Sequence, residues 1–543
     1  MDAFHTIPTT PYEDQKPGTS GLRKRVTDFK QPHYLENFVQ SIFDTVRDFR
    51  GGKILLGGDG RYFNDEAVQI ILRMSSANGV SEVILGKNAI LSTPAASHLI
   101  RKYHLNGGLV LSASHNPAGQ NGDFGVKLNL ETGGPAPTSV TDAIFARSQT
   151  LSHYRIADGN IDTSRIGTQN LGDMRVTVVD PVEDFAEFME ELFDFSAIKA
   201  LIESGFSIAF DAMSAVTGPY ATEIFGNRLG VSHDQLYNTR PLPDFGGAHP
   251  DPNPVHANAL FDRMFGPNPP DFGAASDGDG DRYIALGPHF YVSPSDCLAV
   301  IAANAHLAPG YKDGIKGIAR SMPTGRAADN VAAHLNIPIY ETPTGWKYFG
   351  NLMDAGRITI CGEESASTSS DHIREKDGLW GVLMWLNIIA AKGESVEAIV
   401  RAHWRQFGRH YYTRHDYEEV DKASAESIIA TLHGQLETLT GRSLQGETIE
   451  VADSFTYTDP VDGTVTKNQG LRVFFESGSR LVMRLSGTGT KGATLRIYLE
   501  RYVGPEGDHD IDLAEATAGL AMIADTLTDL KQTLNRDAPS VIS

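Results

Sequence analysis

Apolar and polar positions follow two alternating patterns between residues 53 and 114. Short apolar runs such as KILLGG and SEVILG predict buried strands. Between these runs, apolar residues recur every three or four positions in NDEAVQIILRMSSANG and STPAASHLIRKYH, which predicts amphipathic helices. A third apolar run, GGLVLSAS, leads into a loop rich in glycine and asparagine. This alternation predicts α/β layers around a largely parallel sheet.

Capping residues set the expected ends of these two helices. Asn64 is a candidate N-cap for the first helix, and Gly79 lies near its end. The second helix is expected to have Thr93 as its N-cap and Pro94 at its first helical position.

The same layout recurs at about 205–287 and 315–370, without a strict repeat in sequence. From about Phe407 the pattern changes: a helix around 423–438 precedes the strand-like runs RVFFESGSRLVMRL and ATLRIYLERY, and an amphipathic stretch follows at 513–534. We therefore expect an α/β fold with three related mixed α/β domains plus a C-terminal α+β domain around a central cleft. The expected domains are 1–188, 189–298, 299–405 and 406–543.

Composition narrows the class of partner. Hydrophobic residues make up 41% of the 543 residues and charged residues 21%, close to a soluble globular average. Lys plus Arg is 47 and Asp plus Glu is 68, so the formal net charge is −21. This acidic balance argues against nucleic acid as a partner. An anionic substrate would need a local cluster of cationic side chains or a metal.

Two further features bear on the compartment. Cys297 and Cys361 are too few for a disulfide framework or a cysteine-rich zinc site. The N-terminus is polar and lacks the apolar core of a signal peptide, and the longest apolar stretch, around 382–391, is too short to span a bilayer. We expect a cytoplasmic protein that does not contact a membrane.

Four polar loops each follow a predicted strand. They are LVLSASHNP, GAASDGDGD, ITICGEES and VMRLSGTG. Ligands in open α/β sheets bind at the carboxyl ends of the strands. We therefore expect one loop from each domain to line a shared cleft.

The run SDGDGDR is the strongest local signal for chemistry. Asp277, Asp279 and Asp281 alternate with glycine, so in an extended segment their carboxylates would converge on one side. Three adjacent carboxylates repel one another without a cation, and hard oxygen ligands suit Mg²⁺. An EF-hand does not fit, because its sixth and twelfth positions hold Arg282 and Pro288. A solvated acidic turn is the alternative.

Ser114 stands at a strand end in SASHNP. A bare serine is a weak nucleophile, and no Gly-x-Ser-x-Gly elbow or Ser-His-Asp order supports a hydrolase triad. One consistent use is as a phosphoryl carrier whose phosphate completes a magnesium site. By itself the motif favours a serine that caps a turn, and the neighbouring aspartate loop favours the carrier. His115 would be an acid, a base or a hydrogen-bond donor to phosphate, and a structural role is equally open. Lys127 would reach the cleft as a cation or proton carrier, although lone lysines are commonly solvated.

The segment RLSGTGTKGATLRIY contains a Gly-x-Gly-x-x-Gly pattern. A dinucleotide-binding fingerprint needs a helix after this pattern, and here a second strand follows. Backbone N–H groups of the loop, with Arg484, Ser486 and Thr488, would still form an anion cradle, and a glycine hairpin is the alternative. In GEES, Glu363 offers a carboxylate that can accept hydrogen bonds from two sugar hydroxyls, but this motif alone favours an exposed acidic turn. Arg23, after a Gly/Ser turn, is by itself an ordinary basic turn residue.

Taken together, these segments resemble the α-D-phosphohexomutase superfamily, in its glucose-phosphate branch. The resemblance rests on GTSGLRKRV, ILSTPA, ASHNPAGQNGDFGVKLN, DFGGAHPDPNP, DGDGDR, TPTGWKYFGNLMDA, GEES, SDHIREKDGLW and RLSGTGTKGATLRIY, in this order over almost the whole chain. It implies four domains, a monomer, and sugar phosphates as small-molecule substrates. The implied enzyme is an intramolecular phosphotransferase of the isomerase class. It would interconvert glucose 1-phosphate and glucose 6-phosphate with Mg²⁺, and with glucose 1,6-bisphosphate as the activating intermediate.

The resemblance also implies roles for individual residues. Ser114 would be the phosphoserine, and it would bind Mg²⁺ together with the three aspartates. The residues implied near the reacting group are Arg23, Lys127 and Arg282, and His115 is a further catalytic candidate from its place beside Ser114. The residues implied to bind the sugar or bisphosphate are Arg23, Arg282, Thr344, Gly345, Glu363, Ser365 and Lys376. The residues implied to hold the distal phosphate are Arg484, Ser486, Gly487 and Thr488.

The sequence departs from the family pattern at two places. Residues 366–370 read ASTSS where the glucose branch commonly has Phe-Gly-Thr-Gly-Ser, and Ser112 stands where threonine is common. Neither departure removes a motif residue. Two other functions remain open: a non-catalytic scaffold or adhesion protein, and a mutase or phosphatase for another sugar such as mannose or N-acetylglucosamine phosphate.

Overall fold

The protein is described here from a computed structural model that covers residues 4–486 and 493–543. Its strands are β1 Phe4–Pro8, β2 Leu22–Arg25, β3 Lys53–Gly58, β4 Glu82–Ile90, β5 Gly107–Leu111, β6 Asp123–Leu130, β7 His153–Ala157, β8 Gly167–Leu171, β9 Met174–Val179, β10 Ile208–Asp211, β11 Leu236–Tyr237, β12 Phe272–Ser276, β13 Tyr283–Gly287, β14 Phe290–Tyr291, β15 Ile318–Ser321, β16 Ile339–Thr342, β17 Ile360–Glu363, β18 Ser367–Ser370, β19 Arg409–Val420, β20 Ser443–Leu444, β21 Glu447–Ser454, β22 Tyr457–Thr458, β23 Val465–Thr466, β24 Leu471–Phe475, β25 Arg480–Ser486, β26 Ala493–Val503 and β27 Val541–Ile542.

The α-helices alternate with these strands over most of the chain. They are α1 Val26–Phe29, α2 Tyr34–Thr45, α3 Asn64–Ala77, α4 Thr93–Lys102, α5 Thr138–Ser148, α6 Pro181–Leu192, α7 Phe195–Glu203, α8 Thr217–Ala221, α9 Asn258–Met264, α10 Pro294–Asn304, α11 Ala327–Leu335, α12 Trp346–Asp354, α13 Gly378–Lys392, α14 Val396–Phe407, α15 Lys422–His433, α16 Leu436–Leu439, α17 Leu513–Thr528 and α18 Leu530–Leu534. Among the described residues, no helix is long and apolar enough to cross a membrane.

The chain divides into two compact units. The first comprises the chain up to Tyr291, together with Asn304–Gly314 and Ser365–Val396. The second comprises Val292–Ala303, Ile315–Glu364 and Glu397–Ser543.

The first unit contains a seven-stranded sheet in the order β2-β6-β5-β3-β4-β9-β8. Its central strands β5, β3, β4 and β9 run parallel, as the alternating pattern predicts. The outer strands β6, β2 and β8 run antiparallel to their neighbours. The largest buried apolar cluster of this sheet includes Ile54, Leu56, Leu109 and Leu111. The antiparallel step from β5 to β6 places a loop, residues 112–122, at the carboxyl end of β5.

A second sheet of the first unit has the order β11-β10-β12-β13-β14. Strand β10 is parallel to β11 and β12, whereas β12 and β13 form an antiparallel pair. The acidic run 277–282 is therefore the turn between β12 and β13 rather than the extended segment that the Asp-Gly alternation suggests.

The second unit contains the two-stranded sheet β22-β23 and strands of two larger sheets. Strand β15 lies between β16 and β17 and is parallel to both. The other sheet has the order β20-β21-β24-β25-β26-β19-β27, and its registered pairs are antiparallel. Helices α15 and α17 cover this sheet through Ile428, Leu432, Leu520 and Ile523, which belong to one buried apolar cluster.

Two predicted helix N-caps are wrong by one residue each. Helix α3 has Phe63 rather than Asn64 as its N-cap, and Phe63 adopts a left-handed φ of 78°. Helix α4 is capped by Ser92, whose hydroxyl accepts a hydrogen bond from the N–H of Ala95 at 3.2 Å. Thr93 is thus the first helical residue, not the cap. The C-terminal helix is interrupted at Asp529, where φ is 49°.

Candidate active site

Ser114 lies three residues beyond β5 in a strained backbone conformation. Its φ is 53°, in the left-handed region that residues other than glycine seldom adopt. The side chain is buried, and its Oγ donates a hydrogen bond to Asp277 Oδ2 at 2.8 Å. Since Asp277 directly follows β12 and Ser114 follows β5, the carboxyl ends of strands from two different sheets meet at this hydroxyl. The sequence prediction that these two loops come together is confirmed.

The carboxylates of Asp277, Asp279 and Asp281 converge as predicted. One oxygen from each lies within 4.8 Å of the others, and all three residues are buried. Oδ1 of Asp279 and Oδ1 of Asp281 have no hydrogen-bond partner among the described residues. A buried carboxylate oxygen without a partner is costly, and a divalent cation would satisfy both oxygens at once. The donor set therefore fits a hard metal ion.

Asp277 is positioned by its own turn. Its Oδ1 accepts hydrogen bonds from the N–H groups of Asp281 and Arg282, both at 3.0 Å. Burial, followed by repulsion from Asp281 and Asp279, raises the pKa of Asp277 well above its usual range. A cation among the three carboxylates would oppose both effects by favouring the ionised form.

Asp279 is held in the ionised state by two neighbours. Burial alone would raise the pKa of Asp279, but Lys127 and the hydroxyl of Thr93 hold it well below its usual range. Thr93 Oγ1 donates to Oδ2 at 2.6 Å, and Lys127 Nζ forms an ion pair with the same oxygen. Thr93 is therefore part of the site, although the sequence suggested only a helix cap.

Three other predicted cations surround the carboxylates. Lys376 Nζ lies 3.4 Å from Asp281 Oδ2, and Arg282 Nε lies 3.9 Å from Asp281 Oδ1. Arg23, on β2, has a buried Nε with no hydrogen-bond partner among the described residues. Burial lowers the pKa of Arg23, Asp279 offsets part of this effect, and Arg282 adds to it. An anion between the two guanidinium groups would relieve their repulsion.

His115 lies beside the serine. Its Nδ1 is 3.5 Å from Ser114 Oγ, at the limit of a hydrogen bond. Burial, with Arg282 and Arg23 nearby, lowers the pKa of His115 well below its usual value. The imidazole is therefore neutral near pH 7, which favours a hydrogen-bonding role over that of a cation.

Glu375 is a buried carboxyl that sequence reasoning missed. Its Oε1 accepts a hydrogen bond from Asn129 Nδ2 at 3.0 Å, on the same strand as Lys127. Burial raises the pKa of Glu375 to about 7, and Lys127 opposes this shift. Nothing in the local sequence REKDG distinguishes Glu375 from an exposed acidic turn residue. Only its contact with Asn129 on β6 shows that it is buried in the site.

The second unit holds the predicted sugar-binding residues Thr344, Gly345 and Glu363. The N–H of Gly345 donates to Glu363 Oε1 at 2.9 Å, which fixes the carboxylate at the end of β17. Thr344 Oγ1 is buried with no hydrogen-bond partner among the described residues. Ser365, in contrast, belongs to the first unit, just before β18.

Arg484 lies on β25 of the second unit, and Ser486 is the last residue of that strand. Gly487 and Thr488 lie outside the described residues. Arg484 is the cross-strand partner of Arg496, which pairs in turn with Asp416. Arg414 Nε lies 3.1 Å from Asp416 Oδ1 and Arg496 Nε lies 3.6 Å from it.

These four residues form a cationic patch in which Arg414 and Arg496 lie beside Asp416 and Arg484 lies opposite Arg496. Like charges directly opposite each other destabilise an antiparallel pair. An anion over the patch would reverse that effect. Arg496 and Arg414 were missed in the sequence, because only the fold brings Arg496 opposite Arg484 and Arg414 beside Asp416.

Four family models match successive parts of the chain. Domains I, II and III of the phosphoglucomutase/phosphomannomutase family, each described as α/β/α, match residues 14–155, 183–289 and 294–407. The phosphoglucomutase-1 C-terminal domain matches residues 409–540. The chain thus belongs to the phosphoglucomutase/phosphomannomutase family, within the phosphohexomutase superfamily. The expected fold class of three α/β domains and a different C-terminal domain is confirmed.

Individual relatives point to one branch of that family. The chain is 57% identical over 539 residues to a phosphoglucomutase of Rhizobium radiobacter, with 99% of both chains covered. It is 49% identical over 572 residues to a cytoplasmic phosphoglucomutase of Bromus inermis, with 98% of both covered. Among solved structures, the phosphoglucomutase pp63/parafusin of Paramecium has a TM-score of 0.93 and 46% identity, covering 100% of this chain and 99% of that one.

Proposed function

We propose that this protein is a phosphoglucomutase that interconverts glucose 1-phosphate and glucose 6-phosphate through a phosphoserine at Ser114. The observation that carries the proposal is the contact of Ser114 Oγ with Asp277 inside a buried carboxylate triad with two unsatisfied oxygens. Full-length identity of 57% to a phosphoglucomutase supports the choice of glucose phosphates. Glucose 1,6-bisphosphate would be the intermediate that turns over between the two half-reactions.

We propose Mg²⁺ as the metal. Asp277, Asp279 and Asp281 offer hard oxygen ligands, and the phosphate on Ser114 would add another. When bound, Mg²⁺ would neutralise charge on the transferring phosphoryl group.

The surrounding side chains would position and neutralise the phosphoryl group. As the sugar hydroxyl oxygen bonds to phosphorus, the bond from phosphorus to Ser114 Oγ would break, and the proton lost by the sugar hydroxyl would end on the released Ser114 Oγ. Lys127 and Arg282, which lie beside the aspartates, and the buried Arg23 would supply positive charge to the site and so stabilise the charge that spreads over the phosphoryl oxygens. Neutral His115 would form a hydrogen bond with the phosphoryl group. Because its imidazole is uncharged, it would not form an ion pair with the aspartates that bind the metal.

The remaining residues would hold the sugar and its second phosphate. Glu363, with Thr344, Gly345, Ser365 and Lys376, would bind sugar hydroxyls or the bisphosphate. Arg484, Ser486, Gly487 and Thr488 would bind the distal phosphate, and we add Arg496 because it lies opposite Arg484. The substrate must bind in two orientations, so these groups would accept either phosphate.

The location, the oligomeric state and the domain boundaries are proposed as well. A cytoplasmic location is supported by relatives named cytoplasmic, although chloroplastic relatives are equally similar. A monomer and the domain boundaries after residues 188, 298 and 405 remain predictions from the sequence.

The function is tested by a coupled assay of glucose 1-phosphate conversion to glucose 6-phosphate, with and without glucose 1,6-bisphosphate. We expect turnover that the bisphosphate stimulates, and a lower kcat/KM with mannose 1-phosphate. Faster turnover of another sugar phosphate would assign the chain to a different mutase. No turnover of any sugar phosphate would favour a non-catalytic role.

Arg484→Ala is expected to weaken binding of both glucose 1-phosphate and the bisphosphate. A charged hydrogen bond is worth about 1.5–3 kcal/mol, or roughly ten-fold to over a hundred-fold in affinity. Both reaction directions should suffer, because the distal phosphate alternates between the two ends of the sugar. Steady-state kinetics in both directions and calorimetric titration with the bisphosphate measure this. Arg165→Ala, at an exposed position, is the matched control; equal affinities of the two variants would contradict the assignment.

Gly278→Ala is expected to displace Ser114. A Cβ at Gly278 would lie 2.3 Å from the carbonyl oxygen of Ser114, so the two loops would have to separate. Overpacking of this kind costs about 1–3 kcal/mol of unfolding free energy, and a shift near 1 Å at the nucleophile lowers kcat about 100-fold. Denaturant unfolding and mutase kinetics measure both effects. Gly504→Ala, where no atom lies within 4 Å of the added Cβ, should change neither.

A further inference from the structure

Three buried residues near Ser114 form a connected group that the proposed mechanism does not use. Asp59 follows β3, Arg61 lies two residues further on, and Ser112 follows β5. Their exposed fractions are 0%, 1% and 0%. Arg61 Nε donates to both carboxylate oxygens of Asp59, at 3.0 and 2.9 Å, and Ser112 Oγ donates to Asp59 Oδ2 at 2.6 Å. We call these three residues the backbone clamp.

The backbone clamp contacts both sides of Ser114 through its main chain. The N–H of Ser114 donates to Ser112 Oγ at 2.7 Å, and one terminal nitrogen of Arg61 donates to the carbonyl oxygen of Ser114 at 2.7 Å. The other terminal nitrogen of Arg61 donates to the carbonyl oxygen of Asp123 at 2.9 Å, at the far end of the same loop. The loop is therefore held by hydrogen bonds at three backbone groups: the N–H of Ser114, its carbonyl oxygen and the carbonyl oxygen of Asp123.

The directions of these hydrogen bonds are mutually determined. The hydroxyl of Ser112 has one proton, which goes to Asp59, so its lone pair is left to accept from Ser114. The carboxylate of Asp59 orients both the hydroxyl and the guanidinium. The guanidinium also lies 5.3 Å from the ring of Phe245, which would contact a Cβ at Gly278 at 3.3 Å.

We propose that Asp59, Arg61 and Ser112 are positioning residues that hold the left-handed backbone of Ser114 and thereby direct its Oγ toward Asp277. This inference rests on the proposed function, because it assigns the serine as the reacting group. A left-handed serine needs external support, since the conformation costs about 1–3 kcal/mol on its own. The backbone clamp supplies that support through peptide groups rather than through the reacting oxygen.

The consequence is a specific kinetic signature. Loss of the backbone clamp lets the Ser114 backbone relax, which moves Oγ while the three aspartates and the distal phosphate site in the second unit keep their own contacts. Misplacement by about 1 Å lowers the rate about 100-fold. We therefore expect kcat to fall while KM for glucose 1-phosphate stays within about two-fold. KM would depend on substrate-binding residues that the backbone clamp does not contact.

The test compares Ser112→Ala with Ser112→Thr. The alanine variant loses the hydroxyl and the threonine variant keeps it. Ser75→Ala, which removes another fully buried hydroxyl in the same unit, one that donates to Ile71 at 2.7 Å, is the control. Each variant is assayed for kcat and KM, for the single-turnover rate of Ser114 phosphorylation by glucose 1,6-bisphosphate followed by intact mass, and for melting temperature.

The expected result is a loss of about 100-fold in kcat and in phosphorylation rate for Ser112→Ala, recovery of most of this loss in Ser112→Thr, and no change in Ser75→Ala. An unchanged kcat in a folded Ser112→Ala variant would overturn the inference, as would equal losses in the alanine and threonine variants. If Ser112→Ala does not fold, Arg61→Lys replaces it, because lysine keeps the charge beside Asp59 but cannot bridge the carbonyl oxygens of Ser114 and Asp123.

The same measurements separate this inference from the proposed function. If the wild type turns over glucose 1-phosphate and Ser112→Ala is equally active, the proposed function is supported and the backbone clamp is refuted. If the wild type shows no mutase turnover but still accepts phosphate on Ser114, the proposed function is refuted. The phosphorylation rates of the variants then test the backbone clamp. Wild-type protein that does neither overturns both.

Discussion

Ser114→Ala is expected to abolish mutase turnover and to leave the fold intact. The variant lacks the oxygen that carries the phosphoryl group, so neither half-reaction can proceed, and the loss should be on the order of 10⁴-fold or more. In the described part of the chain, the removed hydroxyl donates to Asp277 and lies 3.5 Å from His115 Nδ1, at the limit of a hydrogen bond, so we expect little change in the free energy of unfolding. The coupled assay measures turnover, and intact-mass analysis should show one phosphate adduct in wild type that the variant lacks.

The control for this variant is Ser41→Ala, which removes a buried helical hydroxyl that donates to Asn37 at 2.8 Å. It should keep both turnover and the phosphate adduct. Normal turnover in Ser114→Ala would refute the phosphoserine mechanism altogether.

Asp279→Asn is expected to lower the rate by about 100-fold or more, because several kcal/mol of charge stabilisation depend on the metal site. The amide still accepts a hydrogen bond from Thr93 but cannot balance the charge of Lys127, and it is a poorer ligand for Mg²⁺. A titration of activity against Mg²⁺ should show a weaker apparent affinity than in wild type.

Chelation provides the second half of this test. Treatment of wild type with a chelator should stop turnover, and added Mg²⁺ should restore it. Asp313→Asn, at an exposed turn, removes the same charge and should behave as wild type. A wild-type enzyme that ignores chelation, with an Asp279→Asn variant of normal rate, would rule out the metal assignment.

The sequence predicts those parts of the site that lie within one short segment. SDGDGDR and SASHNP each follow an apolar strand and carry their chemistry locally, so their positions can be inferred from order along the chain. Even the incorrect assumption of an extended acidic segment leads to the right convergence, because the turn after β12 brings the same three carboxylates together.

Residues that act through distant partners give no such signal. Glu375 becomes notable only through Asn129, which is 246 positions away, and Arg496 only through its register with Arg484. Asp59 and Arg61 occupy an unremarkable GDGR turn until the fold places them against the main chain of Ser114. Thr93 is a further example of a residue whose role the sequence does not predict. The sequence suggests a helix cap, but Ser92 caps the helix and the hydroxyl of Thr93 donates to Asp279 instead.

The left-handed backbone of Ser114 has a consequence for engineering. Glycine adopts this conformation without steric cost, so glycine at position 114 would relieve about 1–3 kcal/mol of strain. Any redesign that ranks substitutions by folding energy alone would therefore favour it. Such a protein would be harder to unfold but would have no mutase activity. A substitution that raises stability at this residue therefore removes catalysis.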